Sequence, residues 1–167
     1  MGYCAALSSG LFALVLAVTA PAASASDGEV KVTPLVYQTR VAGDVESVKE
    51  NLTTALEGRN FAIVNVLNVQ QGLKNRGIAA DPILLVEFIN LGKAYQVTQS
   101  NRQFEVFAPL KAVLFGEPGY VTVLFLRPSY IKTALSANGL SVQAAGVLDE
   151  FDHDIEEIAR LIAHGGF

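Results

Sequence analysis

The stretch "QFEVFAPLKAVLFGEPGYVTVLFLR", Gln103 to Arg127, decides the fold. Two runs rich in Val, Leu and Phe flank Gly116-Glu117-Pro118-Gly119. Proline pre-sets one turn angle and glycine accepts the one that other residues resist, so this tetrad makes a turn. The two runs then form a β-hairpin, and Pro109 predicts a bulge or a break in the first arm because it has no N–H for a ladder.

Working outward, "DPILLVEFIN" (Asp81–Asn90) is a short apolar run with an Asp-Pro start, which predicts a strand buried on both faces. "FAIVNVLNV" predicts a further strand from Phe61 to Val66, with Asn68 capping a short helix that ends at Gly77. "LGKAYQVTQSN" and "SYIKTALSANG" read as short helices, the second broken by Asn138-Gly139. In "DVESVKENLTTALEGRN", Asp44 caps a helix whose apolar residues recur at Val45, Val48, Leu52, Ala55 and Leu56, closed by Gly58. Alternation before it, at Val30, Val32, Leu35 and Val36, predicts an edge strand, with Pro34 suited to a bend. Ser141 to His164 forms one long amphipathic helix. The order is strand, helix, strand, helix, strand, helix, two strands, helix, helix. It predicts a single α+β domain with a mixed sheet and helices packed on it.

The chain has 167 residues. Its first 25 read as a cleavable signal peptide: the apolar run Leu11–Ala20 precedes Ala23-Ser24-Ala25, a small-x-small site with cleavage before Ser26. No Lys or Arg precedes the apolar run, and a retained membrane anchor is the rival reading. Cleavage leaves residues 26–167 as the domain, periplasmic or secreted, with no membrane span in the mature chain. The one cysteine, Cys4, lies in the leader, so the mature chain has neither disulfides nor thiolate chemistry. Twelve basic residues against 16 acidic ones give a net charge of −4, and no basic run marks a nucleic-acid surface.

Two constellations are candidates for chemistry. "DEFDHDIEE" (Asp149–Glu157) gathers six carboxylates around one histidine. At about 100° per residue, Ala144, Val147, Leu148, Phe151, Ile155, Ile158 and Ile162 share one helix face. Asp149, His153 and Glu157 stack on the opposite one, at the spacing of a weak divalent-metal site. A solvated face, with Arg160 pairing Glu156 or Glu157, is the simpler reading. Glu87 is costly within an apolar strand unless paired, and Lys111 is its natural partner. A polar pocket of Glu87, Asn90, Lys111 and Arg127 would receive a small anion or a partner's side chain. Hydrolase, phosphate-loop, zinc-protease and c-type haem motifs are missing from the chain. His164 or Tyr130 is the remaining candidate axial ligand for a non-covalent haem.

"NLTTALEGRNFAIVNVLNVQQGLKNRGI", "ILLVEFINLGKAYQV" and "FAPLKAVLFGEPGYVTVLFLRP" together resemble the domain-of-unknown-function 302 family, over about Asp44 to Leu135. Arg59-Asn60-Phe61 stands where that family has Gly-Phe. Asn90 and Ala94 match its second block, while Ile89 and Leu91 replace a cysteine and a proline. Pro109, Lys111 and Pro128 fall in place in the hairpin. The resemblance implies a compact α+β fold, often a dimer, in bacterial proteins that are sometimes exported and sometimes attached to redox partners. It implies no mechanism, and Ile89 removes any role built on the family's thiol. The expected function is a small exported binding or accessory module, homodimeric, with a periplasmic protein or a small ligand as its other partner. A ligand-, metal- or haem-binding redox protein or enzyme is the alternative, its cofactor unknown.

Overall fold

A computed structural model describes residues 28–165; the leader, its cleavage site and Cys4 lie outside them. The strands are β1 (Val30–Val32), β2 (Val36–Ala42), β3 (Ala62–Asn68), β4 (Ile83–Ile89), β5 (Leu110–Glu117) and β6 (Tyr120–Leu126). They form one sheet in the order β1-β2-β6-β5-β4-β3. Every neighbouring pair is antiparallel, which corrects the expected mixed sheet. The helical connections after β3 and after β4 return the chain to the end of the sheet it left. A parallel neighbour would need a crossover to the opposite end.

The hairpin forms as its turn dictates. Pro118-Gly119 link β5 to β6, with Gly119 at φ +80, the left-handed angle that a turn of this kind asks of its third residue. Pro109 does break the first arm. The strand starts at Leu110, and "RQFEV" before it is a 3₁₀ turn (Arg102–Val106), not a strand. Asn101 caps that turn by accepting the Gln103 amide, and Phe104 anchors it in the core. The opening segment is also two strands where one was expected: Thr33 to Leu35 turn the chain, and β1 pairs back on β2.

The helices are α1 (Val45–Glu57), α2 (Val69–Lys74), α3 (Leu91–Ser100), α4 (Pro128–Ser136) and α5 (Val142–Ala163). Asp44, Asn68, Asn90 and Ser141 cap four of them with side-chain oxygens that accept amides of the first turn. Each such cap is worth about 1 kcal/mol. The apolar face of α5 is buried as its phasing predicts, from Ala144 to Ile162. Phe151 lies 5.7 Å from Phe61, which meets Phe88 of β4 edge to face at 5.4 Å.

Burial divides the sheet sharply. Tyr37, Thr39 and Val41, then Leu84, Val86 and Phe88, then their neighbours on β5 and β6, all point into the helix layer. The alternate residues point the other way and are only half-buried. This corrects the reading of "DPILLVEFIN" as buried on both faces: Leu85, Glu87 and Ile89 lie on the open side. An antiparallel sheet can leave one face uncovered, whereas the expectation had rested on the behaviour of parallel strands.

Candidate functional site

All six carboxylates of the terminal cluster are engaged, and five of them reach other elements. Asp149 meets Lys132 of α4 at 2.6 Å, and Glu150 meets Lys93 of α3 at 3.0 Å. Asp154 lies 3.3 Å from both Lys93 and Arg59. Glu157 meets Arg59 at 2.5 Å and His153 at 3.4 Å, and Glu156 pairs with Arg160 within the helix. The polar side of α5 is a solvated stripe, with Asp149, Glu150 and His153 more than half exposed and Arg160 paired with Glu156, and most of its acids also reach neighbouring elements. The candidate metal trio fares accordingly: Lys132 neutralises Asp149, Arg59 neutralises Glu157, and His153 is exposed. Among the described residues no group of three or more His, Cys, Asp or Glu is gathered to hold a metal.

Asp152 is the most deeply held of the six. Its Oδ2 accepts the Tyr37 hydroxyl at 2.8 Å and Arg127 Nη2 at 3.1 Å, and its Oδ1 accepts the Ser129 amide at 3.0 Å. Arg127 also donates to the Thr33 carbonyl at 2.8 Å and lies over the Tyr37 ring at 4.7 Å. One carboxylate thus ties α5 to the first hairpin and to the first turn of α4. Burial works to raise its pKa, but the Ser129 amide, Arg127 and Tyr37 prevail and hold it below the ordinary carboxylate value. Burial and the adjacent Asp152 push the Tyr37 phenol well above its ordinary value. At Lys93, burial lowers the pKa, and Glu150 with Asp154 more than offset it.

The four residues of the expected pocket do not converge. Glu87 and Lys111 are cross-strand partners on the open face, 3.7 Å apart, and Asn65 donates to Glu87 at 3.2 Å. Asn90 is the cap of α3, accepting the Lys93 amide at 3.1 Å. Arg127 is turned to the helix side, where Asp152 holds it. The haem-ligand candidates stand on different helices, Tyr130 exposed on α4 and His164 at the end of α5.

Among the concavities elsewhere on the described residues, two are notable. One, of about 290 Å³, opens beside the hairpin turn and is lined by Asp44, Asp81, Glu117 and Tyr120 among others. Gly116 allows it its shape, since a Cβ there would fall 2.6 Å from Val45 and 2.8 Å from Pro82. The other, of about 350 Å³, is an open groove between Arg59, Glu157, Arg160 and His164. Sequence reasoning missed both, because their linings come from segments far apart in the chain. It also missed the part played by Asp152 and Tyr37. The available signal was position: Asp152 follows inward Phe151 and precedes inward Ile155 by three, so it borders the buried face.

A six-stranded antiparallel sheet with helices layered on one side, bolted through a half-buried acid in α5, defines a two-layer α+β domain. The chain belongs to the DUF302 family, a domain of unknown function, whose model matches residues 37–158. That span encloses Asp152 and the three residues that donate to it, Tyr37, Arg127 and Ser129, while Thr33 precedes it. Among solved structures the chain is similar to an uncharacterized conserved DUF302 protein from Bacillus stearothermophilus. The TM-score is 0.67 at 17% identity, covering 76% of this chain and 97% of the other, which supports the shared fold. Among curated proteins none matches. No helix among the described residues is long and apolar enough to cross a membrane.

Proposed function

We propose that this chain is a small exported module that works by binding, without catalysis of its own, and acts as a homodimer in the periplasm or the medium. The observation that carries the reading is the use of its polar side chains. The acids and bases that sequence reasoning marked for chemistry hold elements together, while one face of the sheet is left half-apolar and uncovered by helices. The leader supports export. A second reading is favoured by the Glu87–Lys111 pair on that open face: a polar site around Glu87 and Lys111, without Asn90, for a small ligand of a redox-associated protein.

Native mass spectrometry of protein isolated from its own periplasm separates the two. The expected result is a mass of two chains, each beginning at Ser26, with nothing added. A co-purifying small molecule would establish the second reading instead, and an intact leader would overturn cleavage in favour of a retained anchor.

A further inference from the structure

We propose that the open face of the sheet is the surface on which a second copy of this chain docks, sheet against sheet; this rests on the homodimer reading above and names its interface. Register places Leu85, Val113 and Leu124 side by side across the middle of that face. Ile83 and Phe115 adjoin them on the next row, and Phe115 is 37% exposed. Apart from Phe115 these side chains are half-buried, and together they make a contiguous apolar strip across the middle of the face.

Size is of the right order for the occupant. Five strands of seven or eight residues make a face of about 24 by 23 Å. Its plan area is about 550 Å², somewhat under the roughly 800 Å² of accessible surface that each partner buries in a standard interface.

Charge fits it too. The ionic groups that register places on the face are the pairs Glu87–Lys111, at 3.7 Å, and Arg40–Glu117, at 3.6 Å, with Lys31 at its β1 end. The two pairs each cancel, so the middle of the face offers no net charge to a strongly acidic or basic partner. A second copy brings the same balanced pairs, which meet their opposites about a two-fold axis.

The sheet edges are less suited to the task. β1 has only three residues and carries Lys31, and β3 is interrupted by an irregularity between Ile63 and Asn65. Short, charged or bulged edges resist strand-to-strand addition. Stacking of two open faces at about 10 Å needs no edge.

The test is sedimentation velocity over a concentration series, with circular dichroism as the check on folding. Val113→Lys and the more exposed Phe115→Lys place a charge in the face, and Val66→Lys places one on the β3 edge. Wild type is expected to dimerise, either face variant to weaken association at least tenfold while remaining folded, and the edge variant to dimerise as wild type does. Folded face variants that dimerise normally, or a loss confined to Val66→Lys, would overturn the face assignment and leave the homodimer standing. A wild type that stays monomeric would overturn both.

Discussion

Two ion pairs occupy opposite sides of this sheet, and the protein treats them differently. On the helix side, Asp152 and Arg127 are 15% and 20% exposed, lie 3.1 Å apart, and share their charge with Tyr37, Ser129 and Thr33. On the open side, Glu87 and Lys111 are 22% and 42% exposed and 3.7 Å apart, with Asn65 as the one further partner that Glu87 holds. Screening by water limits an exposed pair to about 0–1 kcal/mol. Removing one partner from a buried pair strands the other and costs roughly 3–5 kcal/mol. The same chemistry therefore locks the fold on one face and is nearly free to serve a surface on the other.

The largest effect is expected from Asp152→Ala, which leaves the Arg127 guanidinium, the Tyr37 hydroxyl and the Ser129 amide without their acceptor. Urea unfolding should show a loss of about 3 kcal/mol, set at the lower end of the buried range because the pair keeps some contact with water. A loss below about 1 kcal/mol would mean that the two pairs do not differ.

The same comparison can be sharpened by pH. The folded-state pKa of Asp152 lies below the ordinary aspartate value of 3.8. Its contribution is therefore complete above that value and is lost as pH falls through the folded pKa. The stability difference between wild type and Asp152→Asn should shrink as the solution is taken from about pH 5 to pH 2, since other carboxylates titrate alike in both. A constant difference over that range would count against the clasp.

The smallest effect is expected from Lys111→Met, which should alter stability by less than about 1 kcal/mol in the same urea assay. A cost as large as that of Asp152→Ala would erase the contrast between the faces.

Much of the local structure was legible in the chain. Caps at Asp44 and Asn68 depend on one side chain and the next three amides, so they can be read from spacing; those at Asn90 and Ser141 follow the same rule, yet sequence reading passed over them. The Pro118-Gly119 turn and the buried stripe of α5 are local for the same reason. Local pattern misled where two conformations share one composition. "QFEVF" has strand-like residues but sits before Pro109 and after a capping asparagine, so it closes as a turn. The apolar run of β4 suggested burial on both faces, yet whether a second layer covers a strand is not written in that strand.

The candidate site followed the same division. Sequence found Glu87 with Lys111, because a charge in an apolar strand demands a partner on the neighbouring one. It could not find Tyr37 with Asp152, 115 residues apart, because nothing local to either residue points to the other. Amino-acid order alone determined the helices, most of the strands, the caps at Asp44 and Asn68, the inward face of α5 and the family. Tertiary structure alone decided the all-antiparallel order, the uncovered face, and which carboxylate is buried among its partners. Those features depend on which distant segments meet, and the free energy of that meeting belongs to the whole packed layer.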